Sequence, residues 1–234
     1  MDGNVNSMND ISGKSAKEIA EELSDEQKML LYLIGLYSKI DGEYGKQWLK
    51  DLSLKGLISK GIRDKIYDWD YAPASIMYRG SRKVINISQE GTNDLNYLRS
   101  IGLVARLRLG TSRHFYFNAF SVTEEGAKVI SEIPQELRDK IDKFAHCKKC
   151  GKLYEVIPID PEEIEEWDDY EELNPSKLSG FDSKNGGIFM VCHSCKIKIN
   201  TRLDWIEAVS YTCVPRWLNV KMVSEYDLEN HKEG

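Results

Sequence analysis

Four cysteines in two C-x-x-C pairs constrain the fold of this 234-residue chain more than any other feature. The pairs are Cys147/Cys150 and Cys192/Cys195, and a fifth cysteine, Cys213, stands apart. A C-x-x-C turn, here called a knuckle, brings two thiolates to one side, and Zn²⁺ lowers the thiol pKa enough to bind both deprotonated. Two knuckles together supply the four thiolate ligands of a tetrahedral zinc site. The spacing therefore predicts one structural zinc ion held by Cys147, Cys150, Cys192 and Cys195.

Strand-like stretches adjoin both knuckles. The first knuckle continues into residues 153–157, and the second lies between residues 187–191 and 197–201. Knuckles attached to β-hairpins resemble a zinc ribbon, and this likeness covers about residues 145–200. It implies a small β domain, which we place at residues 145–234.

An acidic run separates the knuckles. The connection between the knuckles, residues 151–191, is longer than a minimal zinc ribbon needs. Within it, residues 160–172, DPEEIEEWDDYEE, contain nine acidic residues and no basic residue. A run of like charges is typical of a solvated face or an interaction segment. We predict an acidic insert over residues 158–175 that projects from the ribbon as a helix or flexible loop and offers a surface to a basic protein partner.

Composition indicates a cytosolic protein. The chain has a mean hydropathy of −0.48 and no long apolar run, which excludes a membrane span. Its start, MDGNVNSMNDISGKS, lacks the basic and apolar regions of a signal peptide, and we expect residues 1–14 to be a mobile lead-in. In reducing cytosol, disulfides explain the cysteines poorly.

Positive charge is concentrated in one stretch. The net charge of the chain is −6, yet residues 79–113 contain seven basic residues against Glu90 and Asp94. The basic residues are Arg79, Arg82, Lys83, Arg99, Arg106, Arg108 and Arg113. This local excess indicates an anionic partner.

Helical patterns open the chain. Ser24 and Gln27 form a capping-box pattern, which predicts an amphipathic helix over about residues 25–39, preceded by a shorter helical segment at residues 16–23. A second helical pattern includes Trp48, Leu49, Leu52, Leu54 and Leu57. Residues 60–87 lack clean periodicity, except that residues 83–87 are strand-like.

The pattern sharpens after residue 87. Ser88 predicts the start of a helix that ends at Gly102, a residue suited to a left-handed C-cap. Residues 103–119 then alternate with period two around a turn at residues 110–112, which predicts a β-hairpin with one apolar face. Thr123 predicts the start of the next helix, and a further helix is expected over residues 134–144.

The stretches LNYLRSIGLVARLRLGTSRHFYF and SVTEEGAKVI resemble the recognition helix, wing and following helix of winged helix-turn-helix proteins of the MarR, PadR and ArsR families. The resemblance covers about residues 25–132, is most specific over residues 88–130, and fails over residues 60–87. It implies that the helix lies in the DNA major groove and that the hairpin reaches the backbone or minor groove. The predicted fold class is therefore α+β, with a winged-helix domain at residues 15–144 before the zinc ribbon.

This resemblance assigns nucleic-acid contacts to residues of both hairpin and helix. Amide side chains and arginine can hydrogen-bond base edges, whereas lysine and arginine neutralise phosphates. The predicted phosphate contacts are Lys83, Arg99, Arg106, Arg108 and Arg113, and the predicted base contacts are Asn93, Asn96 and Arg99. The expected ligand is double-stranded DNA.

Known catalytic patterns are missing. A pair of C-x-x-C knuckles that flank a long insert also resembles the HNH endonucleases. These enzymes need a histidine between the knuckles, and residues 151–191 contain none. A zinc deaminase needs His-x-Glu upstream of its cysteines, and here His-x-Glu occurs only at His231. His146 and His193 adjoin the knuckles, yet four thiolates close a tetrahedral site, so we expect both to face solvent. We predict no enzymatic activity.

Two functions agree best with these patterns, and a third alternative is an enzyme subunit whose catalytic residues lie on another chain. The first is a DNA-binding transcriptional regulator that acts as a homodimer on a palindrome, with its zinc ribbon serving for protein contacts or dimerisation. The second is a protein-binding component of a transcription or other nucleic-acid machine, because a winged helix followed by a zinc ribbon and acidic residues is similar in order to archaeal transcription factor E. A regulator should bind duplex DNA with a steep salt dependence, whereas such a factor should be monomeric with weak duplex affinity.

Overall fold

A computed structural model describes residues 13–70, 72–78, 81–110, 116–159, 164–173 and 187–201. Within these ranges the chain is a mixture of helices and sheets, so the predicted α+β class is confirmed. The helices are α1 (Ala16–Glu22), α2 (Asp25–Tyr37), α3 (Asp51–Arg63), α4 (Gln89–Ser100), α5 (Glu124–Glu132) and α6 (Gln135–Ala145). The strands are β1 (Leu49–Lys50), β2 (Ala72–Tyr78), β3 (Ser81–Ile87), β4 (Val104–Gly110), β5 (Tyr116–Val122), β6 (Glu155–Ile159), β7 (Glu171–Leu173), β8 (Gly187–Cys192) and β9 (Ile197–Asn200).

Helix α2 lies at the centre of the N-terminal part. Its predicted capping box is present, since the Ser24 hydroxyl accepts from the Gln27 N–H and the Gln27 side chain accepts from the Ser24 N–H. The predicted amphipathic character is wrong, because Leu31 and Gly35, outside the predicted apolar face, are also buried. Helices α4, α5 and α6 together with β5 contact α2 and leave it little solvent-facing surface.

A three-stranded sheet of order β1-β5-β4 packs beside these helices. The predicted β4–β5 hairpin is confirmed, with Val104 opposite Val122. Leu49, predicted as helical, instead lies in β1 opposite Phe120. The expected single apolar face is also wrong, because Ala119 to Val122 are buried on both faces of β5.

The predicted helix starts and stops around α4 and α5 are confirmed. The Ser88 hydroxyl accepts from the Gly91 N–H at 3.0 Å, and Gly102 has a φ of 78° just beyond α4. Thr123 caps α5 by accepting from the Gly126 N–H at 3.0 Å. A side chain at Gly126 would collide with the carbonyl of Leu103, so glycine lets α5 pack closely against the start of the hairpin.

Strand β3 includes the predicted residues 83–87, and its partner β2 was not predicted. The two strands form a separate antiparallel sheet that pairs with no other described strand, here called the β2–β3 ribbon. Its register runs from Ala72 opposite Ile87 to Tyr78 opposite Ser81. The β2 sequence APASIMY mixes small and apolar residues without alternation, so period-two reasoning has no signal there.

The C-terminal part is a four-stranded sheet of order β6-β8-β9-β7. Strands β6, β8 and β9 pair in antiparallel fashion, whereas β7 pairs in parallel with β9. All six residues of β8 are buried, because the sheet is covered on both faces.

Helix α3 joins the two parts through a line of small residues. The hydroxyls of Ser53 and Ser59 donate to the carbonyls of Val156 and Thr201, at 3.0 and 3.2 Å. Between them, a side chain at Gly56 would lie only 2.6 Å from the Ile188 methyl group. One cluster of buried apolar side chains consequently includes residues on both sides of the predicted boundary at residue 144.

Some predictions fall on residues that the structure does not describe. Residues 1–12, 71, 79–80, 111–115, 160–163, 174–186 and 202–234 are outside the described ranges. They contain most of the lead-in, Arg79, most of the hairpin turn, Arg113, parts of the acidic insert and Cys213. In the part that is described, no helix combines the length and apolar character needed to cross a bilayer.

Candidate metal centre and nucleic-acid interface

The structure brings the four predicted cysteines together. The Sγ atoms of Cys147, Cys150, Cys192 and Cys195 all lie within 4.8 Å of one another, and those of Cys150 and Cys192 are 3.5 Å apart. A tetrahedral metal with sulfur at about 2.3 Å needs sulfur atoms roughly 3.8 Å apart. The cluster therefore fits a single metal ion such as zinc.

The two knuckles share one backbone conformation. Gly151 follows the first pair with a φ of 71°, and Lys196 follows the second with a φ of 50°. In the first knuckle, the N–H groups of Lys149 and Cys150 donate to the Cys147 sulfur, and in the second the Cys195 N–H donates to Cys192. In both knuckles, backbone N–H groups donate to the first thiolate, and a residue in the left-handed region follows the second cysteine.

Electrostatics favours a cation in the cluster. Burial by itself raises the pKa of Cys147, but hydrogen bonds from the Lys149 and Cys150 N–H groups and from neighbouring thiols outweigh it and set the pKa at about 6. The hydrogen bond with Cys150, followed by burial, raises the pKa of Cys195 to about 12. One thiolate forms readily and then opposes the others, so a cation is needed to hold four thiolates together.

Neither neighbouring histidine belongs to the ligand set. His146 Nδ1 lies 2.9 Å from the carbonyl oxygen of Asp142. His193 Nε2 lies 3.0 Å from the Glu155 carboxylate, and its Nδ1 lies 2.9 Å from the Tyr170 hydroxyl. Both rings reach solvent in part, as expected, but both are also held by hydrogen bonds within the chain.

The acidic run packs against the second knuckle where the structure describes it, at residues 164–173. Trp167 and Tyr170 pack against a small apolar cluster formed by Ile159, Phe189 and Val191. Residues Glu171–Leu173 form β7 and extend the sheet. The prediction that this segment projects from the sheet is wrong here, because two aromatic residues inside the charge run anchor it.

Acids of this segment neutralise lysines of the knuckles. Asp169 pairs with Lys196, and Glu171 pairs with Lys149 at 2.9 Å. Lys198 donates to the Trp167 carbonyl at 2.9 Å. The charge run therefore acts partly within the chain, while the neighbouring acids Glu165, Glu166 and Asp168 are exposed.

Helix α4 exposes a stripe of uncharged polar side chains. The stripe contains Gln89, Asn93, Asn96 and Ser100, which are all exposed and spaced by four, three and four residues. Residues at this spacing lie on one face of a helix. The sequence prediction included Asn93 and Asn96 but missed Gln89 and Ser100, although the same spacing could have found them.

The two acids of α4 are engaged away from this stripe. Asp94 accepts from the Gln27 amide at 2.8 Å and from the Trp69 indole N–H at 3.2 Å. Glu90 accepts from the Asp70 N–H at 2.6 Å. These contacts direct both carboxylates toward α2 and residues 69–70, which leaves the stripe without an acid.

Two arginines meet at the edge of the stripe. Arg99 donates to the Asn96 side chain at 2.8 Å, and partial burial together with the nearby Arg106 guanidinium lowers the pKa of Arg99. Arg106 and Arg108 are exposed on β4. The structure thus brings Asn93, Asn96, Arg99 and Arg106 to one surface. Lys83 lies on β3 with its side chain outside the described set, and Arg113 is not described.

The fold and the cysteine cluster define a mixed α+β protein with four cysteines placed so that they could hold a metal ion. Residues 26–165 match the family described as Uncharacterized protein MJ1567 family, and since the match spans more than half of the chain, the chain belongs to that family. The match contains the first cysteine pair and ends before the second. No curated protein and no solved structure matches the chain.

Proposed function

We propose that the protein is a DNA-binding transcriptional regulator that places α4 in the major groove of duplex DNA. The observation that carries this proposal is the α4 surface, where the polar stripe lies beside Arg99 and Arg106 and the acids of the helix are engaged elsewhere. Amide side chains can both donate hydrogen bonds to base edges and accept them, and guanidinium groups bind guanine or phosphate.

Element order supports a winged-helix fold for the N-terminal part. In this interpretation α2, α3 and α4 are the three helices, β4–β5 is the wing, and β1 pairs beside β5. The β2–β3 ribbon inserted between α3 and α4 then accounts for the departure from the pattern over residues 60–87. The wing contributes Arg106 and Arg108 to the DNA backbone.

We further propose that the metal is zinc and that its role is structural. Four thiolates close a tetrahedral zinc site and leave no position for water or substrate, which is the arrangement of structural rather than catalytic sites. Zinc, when bound, would cross-link the two knuckles and so hold the C-terminal sheet together. In this proposal the sheet is a zinc ribbon that packs on α3.

Binding to duplex DNA across a salt series tests the proposal, with fluorescence anisotropy as the measurement and light scattering for the solution mass. For the zinc-loaded protein we expect duplex binding by a homodimer. The double variant Arg106→Glu with Arg108→Glu should weaken it and lower the slope of log K against log salt by about 2, since each phosphate that is no longer neutralised accounts for about 0.9.

The matched control reverses two charges on α5 and α6, with Lys128→Glu and Lys140→Glu. Both lysines are well exposed, at 66% and 49% of the side chain, and the change in net charge is the same. This control should bind duplex DNA as the wild type does. A monomer without duplex affinity would contradict the proposal and favour a protein-binding factor of the kind similar to transcription factor E.

A further inference from the structure

The β2–β3 ribbon adjoins the N-terminal end of α4. Each of its strands has seven residues, which gives a length of about 24 Å at roughly 3.4 Å per residue. Strand β3 ends at Ile87, and the next residue, Ser88, caps α4. The ribbon thus leads directly into the helix proposed to contact DNA.

The base of the ribbon is packed between α3 and α4. The rings of Tyr67 and Trp69 stack with centroids 4.2 Å apart and an angle of 4°. Tyr67 packs on Gly61 of α3, where a side chain would lie 2.7 Å from its ring, and Trp69 packs on Gly91 of α4 at 3.0 Å. Because the Trp69 indole also donates to Asp94, the ribbon starts from a defined position beside the N-terminus of α4.

The other hairpin leaves from the opposite end of the same helix. Strand β4 begins at Val104, two residues after Gly102 ends α4. Helix α4 has 12 residues and is about 18 Å long at 1.5 Å per residue. Two antiparallel hairpins therefore flank α4, one at each end.

Both hairpins are cationic in a chain whose net charge is −6. Residues 71–87 contain Arg79, Arg82 and Lys83 and no acid. Residues 101–117 contain three arginines and no acid either. Positive charge placed at both ends of one helix fits an extended polyanion that runs past the whole helix.

We propose that the β2–β3 ribbon is a second DNA-binding arm, which binds the phosphate backbone flanking the α4 contact on the side of the α4 N-terminus. This inference rests on the proposed function, since it needs α4 to lie on duplex DNA. Two-stranded ribbons bind DNA grooves in other folds, and a base anchored by the Tyr67–Trp69 stack lowers the entropy lost when such an arm binds.

The test replaces the charges of the ribbon with Arg79→Gln, Arg82→Gln and Lys83→Gln in the full-length, zinc-loaded protein. The control removes three charges elsewhere with Lys17→Gln, Lys128→Gln and Lys140→Gln. Duplex DNA of random sequence is the ligand, and anisotropy over a salt series is the measurement. The ribbon variant should lower the salt slope by up to about 3, at about 0.9 for each phosphate that the ribbon no longer neutralises, whereas the control should not.

Hydroxyl-radical footprinting on a duplex DNA site selected for binding to the protein shows where the β2–β3 ribbon contacts the DNA, independently of the binding affinity. The ribbon variant should lose protection on one flank of the site and keep it on the other. The Arg106→Glu and Arg108→Glu variant should show the reverse. Melting temperature and zinc content, measured for every variant, identify any loss of binding that comes from misfolding.

The outcomes separate this inference from the proposed function. If the ribbon variant keeps the salt slope and the footprint of the wild type while the β4 variant loses binding, the ribbon is not a DNA arm and the proposed function stands. If the wild type has no duplex affinity at all, both proposals are wrong.

Discussion

Lys196 shows how a single backbone angle shapes the metal centre. It occupies the left-handed region with a φ of 50°, at the place that Gly151 occupies in the first knuckle with a φ of 71°. Side chains other than glycine incur a steric cost of about 1–2 kcal/mol in this region. Glycine adopts this region readily, whereas the presence of a lysine in the sequence gives no sign of a left-handed turn.

Replacing Lys196 by glycine should therefore stabilise the zinc-loaded protein by about 1 kcal/mol, because the steric cost disappears. Urea unfolding measures the change. Lys196→Ala is the control, since it also removes the exposed ion pair with Asp169 but keeps the Cβ atom, and such a pair is worth little. Equal stability of the glycine and alanine variants would show that the backbone angle carries no strain.

At the scale of elements, the acidic segment shows how an anchoring contact overrides a charge pattern. Nine acids in residues 160–172 predict a solvated, projecting segment. Trp167 and Tyr170 instead pack on the sheet, and β7 pairs with β9, whose residues follow the second knuckle. The segment thereby becomes an edge strand, and its acids face lysines beside the metal-binding cysteines.

Trp167→Ala should loosen this segment and lower the free energy of unfolding by about 1–3 kcal/mol, less than for a fully buried tryptophan because Trp167 is only partly buried. Urea unfolding and limited proteolysis measure the two effects. The double variant Glu165→Ala with Glu166→Ala, at exposed residues of the same segment, should leave both unchanged. Resistance of the Trp167 variant to proteolysis equal to that of the wild type would contradict the anchoring role.

At the scale of the whole molecule, one apolar cluster joins the helical part to the C-terminal part. The cluster that contains Leu30 and Ile34 of α2 also contains Cys147, Cys192 and Ile188 of the C-terminal part. Helix α3 bridges the two parts through its small residues at positions 53, 56 and 59. Metal binding and the folding of the helical part should therefore be coupled, although the knuckles lie far along the chain from α2.

Cys147→Ser should weaken zinc binding and destabilise the whole chain, including α2, rather than the C-terminal sheet alone. Hydrogen exchange of the α2 amides, before and after chelation of zinc, measures the coupling. Cys213→Ser is the matched control, because Cys213 belongs to neither C-x-x-C pair, and this change should leave zinc content and exchange unchanged. Protection of α2 that survives the loss of zinc would show that the two parts fold independently.

Features that depend on neighbouring residues were predictable. A cap at Ser24, Ser88 or Thr123 needs only a hydroxyl and an N–H group a few residues away, and a C-x-x-C pair positions its own two thiols. The alternation in β4 and β5 is likewise a property of adjacent residues. These local signals were sufficient for the four clustered cysteines and for Asn93 and Asn96 of the α4 surface.

Contacts between distant residues were decided by the tertiary structure. The pairing of β7 with β9, the packing of α3 on β6 and β8, and the meeting of Arg99 with Arg106 each join segments whose own patterns do not specify a partner. The reason is physical: hydrogen-bonding periods and caps are local, whereas the burial of apolar surface is non-directional and selects its partners only when the whole chain packs.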